Sequence, residues 1–287
     1  MIERIKKLVK TDSSVIKAIG DDCAVIKFNQ THYLLYTCDM LIQDVDFTSK
    51  DKPYLIGRKA LAVSISDIAA CGGLPRYALV SLGLPRRRPV RLIDELYRGI
   101  NNLSRQYKIS IVGGDLSAAG QLTIDISLLG TVEKKNLVLR NGAKENDIIF
   151  VTGNFGGSIL GKHLRFTPRL KEARFLVKNF KINSMIDVSD GLSQDLNHIL
   201  KESKVGAIIY EDLIPLSKDC RGIKDALCSG EDFELLFTLS VKEARRLLQK
   251  SKDFMPIGKI VRQKPGLRLV DKQGREKKLK PEGFRHF

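Results

Sequence analysis

Asp187 and Asp190 stand three residues apart in Met185-Ile-Asp-Val-Ser-Asp-Gly-Leu-Ser-Gln-Asp195, just after a short apolar run. Carboxylates at a strand end are hard oxygen donors, suited to Mg²⁺ or Mn²⁺ and, through such ions, to phosphate groups. The plainer alternative is that Ser189 or Asp190 caps the helix predicted by Leu192, Leu196, Ile199 and Leu200. Repetition favours the chemical role, because acidic turns recur at Asp21-Asp22, Asp39, Asp67 and Asp115. If several converge, two unit charges 4 Å apart repel by roughly 1 kcal/mol in water and about 4 kcal/mol at an effective dielectric of 20. Divalent cations relieve that repulsion. Carboxylates from many loops that hold several Mg²⁺ ions against a nucleotide suit phosphoryl transfer, where positioning and charge neutralisation dominate catalysis.

The elements that must carry these residues are legible in outline. Ala24 to Phe28 and Tyr33 to Thr37 read as strands joined at Asn29-Gln30, with Asp21-Asp22 before the first and Asp39 after the second. Leu55, Ile56, Leu61, Ile65 and Ile68 predict a helix over Pro53 to Cys71, closed by Gly72-Gly73. Asp67 interrupts its apolar stripe, and a carboxylate there should meet a cation or a cavity. Tyr77 to Leu84 is strand-like, Pro89 to Tyr107 helical, and Ile109 to Val112 a strand running into Gly113-Gly114-Asp115. Leu122 to Val132 is a further strand. The polar stretch Glu133 to Asp147 marks a domain boundary, and the expected domains are 1–135 and 136–287. Beyond it come a strand at Ile148 to Val151, a glycine-rich turn, the Asp187 turn and a strand at Gly206 to Tyr210. An acidic turn from Ser229 then enters another strand, Val241 to Lys250 is a helix, and a basic tail ends the chain. Strands and helices mix in both halves, so the class is α/β (α+β) with two subdomains.

Composition narrows the partners. The 287 residues are 43% hydrophobic and 29% charged, enough for one large core or two modest ones. No stretch approaches the roughly 20 apolar residues that span a bilayer, and the amphipathic start is unlike a signal peptide. The five cysteines form no Cys-x-x-Cys pair and the histidines no His-Glu-x-x-His pattern, which points to reduced thiols in the cytoplasm rather than zinc or disulfides. The net charge of +16 gathers partly at Arg86-Arg-Arg88 with Arg91 and partly between Arg262 and Arg285. Polyanion binding, small phosphorylated ligands and a solvated surface all accommodate it.

Gly156-Gly-Ser-Ile-Leu-Gly161-Lys162 fits the P-loop pattern, but His163 stands where the magnesium-binding Ser or Thr belongs. A tight strand-to-helix turn is expected there instead.

Several of these stretches together resemble one family. Ile19-Gly-Asp-Asp-Cys-Ala-Val25, Thr37-Cys-Asp39, Lys59-Ala-Leu-Ala-Val-Ser-Ile-Ser-Asp-Ile-Ala-Ala-Cys-Gly-Gly73, Val80-Ser-Leu-Gly-Leu-Pro85, Gly113-Gly-Asp115, Ile186-Asp-Val-Ser-Asp-Gly-Leu192 and Ser229-Gly-Glu-Asp-Phe-Glu-Leu-Leu-Phe237 are similar, in order and over nearly the whole chain, to thiamine-monophosphate kinases. The resemblance implies a two-domain aminoimidazole ribonucleotide synthetase-like fold, with an N-terminal ATP- and Mg-binding domain that dimerises through its sheet and a C-terminal α/β domain. It implies direct, in-line transfer of the ATP γ-phosphoryl group to thiamine monophosphate, assisted by several Mg²⁺ ions. By that resemblance Asp21, Thr37, Cys38, Asp39, Asp67, Asp115, Asp187 and Asp190 fall at magnesium positions, and Asp39, Asp67, Asp115 and Asp187 are the catalytic set. Gly114, Asp115, Arg140 and Ser189 fall at ATP positions. Asp46, Glu231 and Phe284 fall at substrate positions, where a cationic thiazolium suits a carboxylate and an aromatic face.

Two positions depart from the family pattern. Asp46 stands before Phe47 where the family has histidine, and Cys38 replaces a Ser or Thr. The alternatives are a related ATP-dependent enzyme with another acceptor and a basic nucleic-acid-binding, inactive paralogue. No lysine-bearing glycine-rich N-terminal loop of the selenide-activating type occurs, nor any nucleic-acid-binding module or basic–aromatic alternation. Membrane and nucleic acid are therefore not expected partners.

Overall fold

The computed structural model describes residues 1–86, 90–264 and 266–284. Arg87 and Arg88 of the arginine cluster, the expected helix start at Pro89 and the last three residues lie outside them. The chain falls into two compact units, Met1–Leu137 and Val138–Phe287.

The first unit contains α1 (Ile2–Leu8), β1 (Val15–Lys17), β2 (Ala24–Lys27), β3 (His32–Ile42), α2 (Pro53–Ala70), β4 (Leu74–Leu84), α3 (Val90–Tyr107), β5 (Ser110–Ala118) and β6 (Thr123–Glu133). Among the described residues its sheet runs β1-β2-β3-β6-β4-β5, antiparallel except for the edge pair β4/β5. β6 shows strict period-two burial, with Ile124, Ile126, Leu128 and Val132 fully buried against α2 and their neighbours on the open face. On β3 the same alternation buries Leu35, Thr37 and Leu41 and exposes Tyr36, Cys38 and Met40. Helix α2 is apolar on nearly every side because α3 covers its back. Gly57 and Gly99 make that approach possible, since a Cβ on either would lie 2.1 Å from the Leu96 carbonyl oxygen or 1.9 Å from that of Tyr54. The open face of the sheet is apolar yet solvent-exposed, with Tyr36, Met40, Tyr77, Leu79 and Val112 each more than 40% accessible.

The second unit contains β7 (Ile148–Thr152), α4 (Lys162–Arg165), α5 (Leu170–Asn179), β8 (Ser184–Asp187), α6 (Leu192–Ser203), β9 (Gly206–Tyr210), α7 (Ile223–Cys228), β10 (Leu235–Leu239), α8 (Val241–Lys250), β11 (Phe254–Val261), β12 (Leu267–Val270) and β13 (Glu276–Lys278). Its strands are ordered β13-β12-β9-β11-β7-β10-β8 among the described residues. One face packs Ile149, Val151, Ile186 and Leu236 against Leu192, Leu196 and Ile199 of α6. The other carries an aromatic layer in which Phe150 stacks on Phe237 and Phe254 on Phe175 of α5. Central strands buried on both faces read as continuous apolar runs, which is why Ile148 to Val151 is visible in the sequence.

Several boundaries differ from the sequence expectation. β3 continues five residues past Thr37, because β6 pairs with it as far as Ile42↔Thr123, so Asp39 lies within the strand rather than after it. β5 likewise runs through Gly113-Gly114 to Ala118, which puts Asp115 in a strand and not in a turn. Gly114 permits this, since a Cβ there would meet the Val80 carbonyl oxygen of β4 at 1.8 Å. β11 has no clear sequence signature because Pro256 and Gly258 flank a bulge in its pairing with β7.

Part of the basic tail is neutralised locally. Asp271 bonds Arg275 and Lys277, with the Lys277 ammonium foremost in holding its carboxyl low, and Glu276 pairs with Arg268. Among the described residues no helix is long and apolar enough to cross a membrane.

Candidate active site

In the first unit the acidic residues gather where β3 faces α2. Alternation along β3 aims Thr37 and Asp39 at the helix, while Ser64 and Asp67, three apart on α2, face back. Ser64 Oγ donates to Asp39 Oδ2 at 2.8 Å, and Thr37 Oγ1 donates to Asp67 Oδ2. Burial pushes the Asp39 carboxyl up to about 6; the Asp125 and Asp22 charges add to this, and hydrogen bonds with Ser64 and Asp67 oppose it. The loop between β1 and β2 brings Asp21 and Asp22 to the same region. A carboxylate oxygen of Asp22 lies within 4.8 Å of one of Asp67, and Asp21, Asp22 and the Cys71 thiol form a second group on that scale. Lys17 Nζ, 3.4 Å from Asp21 Oδ2, supplies part of the countercharge.

Not every expected residue joins this cluster. Cys38 sits on the opposite pleat from Thr37 and Asp39, so its thiol points to the open face of the sheet and only its backbone accompanies theirs. Gly114 and Asp115 lie on the exposed edge strand, where Asp115 accepts from Ser117 Oγ at 3.1 Å. Asp46 closes a loop after β3, its Oδ2 accepting the Ile42 N–H at 2.7 Å. The added negative charge is thus engaged by the chain's own backbone.

In the second unit the Val188-Ser189-Asp190 turn is the organising feature. Asp187 ends β8, buried at 3% accessibility. Neither Ser189 nor Asp190 caps α6. Asp195, one turn into the helix, reaches back and accepts the N–H groups of Asp190 and Gly191 at 3.0 and 3.1 Å. Asp195 is itself pushed well above the usual carboxylate range by burial, then by Asp190 and Asp187. The Ser229–Glu234 stretch lies against the turn: Glu231 N–H donates to the Ser189 carbonyl at 2.6 Å, and Phe233 N–H to that of Val188 at 2.8 Å. Glu231 and Phe233 adopt left-handed φ values of 56° and 50°, a strained local shape that the surrounding bonds hold. The tail arrives from the far side. Phe284 N–H donates to the Asp190 carbonyl at 2.9 Å, and Ser193 Oγ donates to the Glu282 carbonyl at 2.8 Å. Ser189, Asp190, Glu231 and Phe284, scattered over nearly 100 positions of sequence, are therefore assembled around one turn.

Arg140 joins from the other end of α6. Ser203 Oγ accepts the N–H groups of Gly142 and Ala143 and donates to the Arg140 carbonyl at 3.3 Å, tying that loop to the helix. Burial, then the Arg140 and Lys201 charges, press the His198 pKa down to about 4 from its ordinary 6.5. Above about pH 6.5 the imidazole is neutral in folded and unfolded chains alike. As pH falls towards 4 only the unfolded chain takes up the proton, so stability is lost across that window. Thermal melts from pH 7 to 4 should show a shallower loss for His198→Gln than for the parent; equal slopes would exclude His198 as a source.

The P-loop-like lysine serves the protein itself. Lys162 Nζ donates to the Asn154 carbonyl and to Glu234 Oε1, both at 2.9 Å, and lies 3.7 Å from Asp232. Arg169 grips the same Glu234 with two bonds, Nε to Oε2 at 2.6 Å and Nη2 to Oε1 at 2.9 Å. Burial alone would raise the Glu234 pKa, but Arg169 and Lys162 outweigh it and hold the carboxyl low.

Ser64, Asp195, Arg169 and Glu234 were not singled out from sequence. For Ser64 a signal existed, its position three before Asp67 on a buried helix face. For Asp195 it was the early acidic position in α6. Nothing local announced the Arg169–Glu234 pair, 65 residues apart.

The family model for the N-terminal domain of AIR synthase related proteins matches residues 20–132, and that for the C-terminal domain matches residues 122–270. A thiamine-monophosphate kinase of Rhodopirellula baltica is 37% identical, over 95% of this chain and 92% of its own. One of Bacillus subtilis is 36% identical over 96% and 94%. A solved structure described as AaThiL complexed with AMPPCP and TMP has 32% identity and a TM-score of 0.88, covering 100% of this chain and 96% of its own.

Proposed function

This chain belongs to the thiamine-monophosphate kinase family, and from that premise we propose that it transfers the γ-phosphoryl group of ATP to thiamine monophosphate, giving thiamine diphosphate and ADP. The observation that carries this is the assembly of Ser189, Asp190, Glu231 and Phe284 around one turn, as an anion- and cation-handling site requires. The solved relative described with AMPPCP and TMP supports both substrates.

An oxygen of the acceptor phosphate attacks the γ-phosphorus in line, the bond to the β-phosphate oxygen breaks, and ADP leaves with that electron pair. The acceptor phosphate already presents a nucleophilic oxygen, so no side chain need act as base. Asp21, Thr37, Asp39 and Asp67 of the first unit, and Asp187 and Asp190 of the second, offer the oxygen donors for Mg²⁺, with Cys38 contributing at most its backbone and Asp115 its exposed carboxylate. The donor chemistry fits: the carboxylates are crowded, and in Asp39 the crowding and burial show as a raised proton affinity. Bound there, Mg²⁺ would neutralise phosphate charge. Gly114 and Asp115 in the first unit, and Arg140 and Ser189 in the second, offer groups for the nucleotide. Glu231 and Phe284 take the thiazolium by charge and by an aromatic face. Asp46, with its carboxylate on the Ile42 N–H, lines the acceptor loop without presenting an unengaged charge.

The test is direct: purified protein with ATP, Mg²⁺ and thiamine monophosphate should yield thiamine diphosphate and ADP in equal amounts. ATP consumption only with another acceptor would point to a sister activity.

The open face of the first unit's sheet supports a homodimer, because an exposed apolar surface of this kind is unstable alone in water. Leu79→Lys, at its centre, should shift sedimentation from dimer to monomer; an unchanged dimer would refute that interface. A cytoplasmic setting accords with these substrates and with the cysteine usage.

A further inference from the structure

We propose that Lys59 is a positioning residue that uses helix α2 as a ruler, fixing the acceptor loop 43–47 relative to the Asp39–Asp67 carboxylates. This deepens the kinase assignment and rests on the acceptor role of that loop. Lys59 is fully buried, 0% accessible, on a helix face otherwise filled by Ile56, Ala60 and Val63. An aliphatic side chain would fill that place without the cost of desolvating an ammonium, so the charge needs a reason. Its Nζ donates to the Asp46 carbonyl at 2.7 Å, a charge-assisted bond across 13 residues of chain.

The loop is anchored at its start, where Gln43 N–H donates to the Leu122 carbonyl at 3.0 Å, and at its end, where Phe47 is buried; between these points it closes on itself. Asp46 N–H donates to the Ile42 carbonyl at 2.9 Å, Ile42 N–H donates to Asp46 Oδ2 at 2.7 Å, and Asp44 N–H donates to the Phe47 carbonyl at 2.6 Å, with Asp44 in the left-handed region at φ 66°. The Lys59 ammonium binds the loop from outside, through the third polar group of Asp46. Asp67 follows Lys59 by eight residues on the same rigid helix, a rise of about 12 Å, and bonds Thr37 of β3. One helix therefore references both the loop and the carboxylates.

Lys59→Met and Lys59→Gln test this in the full-length protein. The expected result is a thiamine-monophosphate KM raised on the order of tenfold to a hundredfold, the cost of misplacing a bound reactant, with the ATP KM changed by less than about twofold. Amide exchange at residues 42–47 should quicken, while that of residues 64–67 stays as in the parent. Unchanged exchange at 42–47, or KM values for both substrates rising together, would overturn the proposal. If neither variant folds, Lys59 is a scaffold residue and the positioning role falls. A parent protein that turns over no thiamine monophosphate would refute the kinase assignment itself, and with it the acceptor role, whatever the exchange shows.

Discussion

Asp67→Asn should lower kcat for thiamine diphosphate formation by on the order of 10²- to 10³-fold, the range seen when one preorganised charge-stabilising group is removed. Asparagine keeps the shape of the side chain and can still accept the Thr37 hydroxyl, so the packing of α2 against β3 is retained. What it removes is one negative charge from a group in which Asp39 already has its pKa raised to about 6 by burial and neighbouring charges. The variant should therefore melt at or above the temperature of the parent while losing activity, because less repulsion remains. Part of the loss should be recovered at higher Mg²⁺. A kcat within threefold of the parent would show that this cluster is structural only.

Arg169→Met should destabilise the second unit by about 3–5 kcal/mol, the cost of leaving a buried charge without its partner. Glu234 is 1% accessible and depends on the two Arg169 bonds, with Lys162 and the Thr152 hydroxyl completing its surroundings. Its own carbonyl accepts the Val188 N–H at 2.8 Å, so the ionic network stands directly behind the turn that carries Ser189 and Asp190. Urea unfolding measures the effect. The double variant Arg169→Met with Glu234→Met should recover much of the stability, since an apolar pair of similar volume removes the unpaired charge. A loss below about 1 kcal/mol in the single variant would mean that Lys162 alone suffices.

The order of residues alone settles the inventory: which oxygen donors exist, their order along the chain, and the periodicities of the strands and the buried helix near them. Period-two burial in β6 and the interrupted apolar stripe of α2 were both readable, because each is a local repeat imposed by backbone geometry. The side on which each donor falls was decided elsewhere. Cys38 and Asp39 are adjacent in sequence yet lie on opposite faces, a consequence of β3 continuing to Ile42 along β6. Asp195, not Ser189 or Asp190, holds the start of α6, by accepting the Asp190 and Gly191 N–H groups. The contacts that define the sites join residues 25, 30 and 89 positions apart, Ser64 to Asp39, Thr37 to Asp67 and Ser193 to Glu282. No propensity or spacing rule reaches over such intervals. They form because burying apolar faces brings the strands and helices together, and the polar groups carried inward must then find partners among whatever the packing has placed beside them.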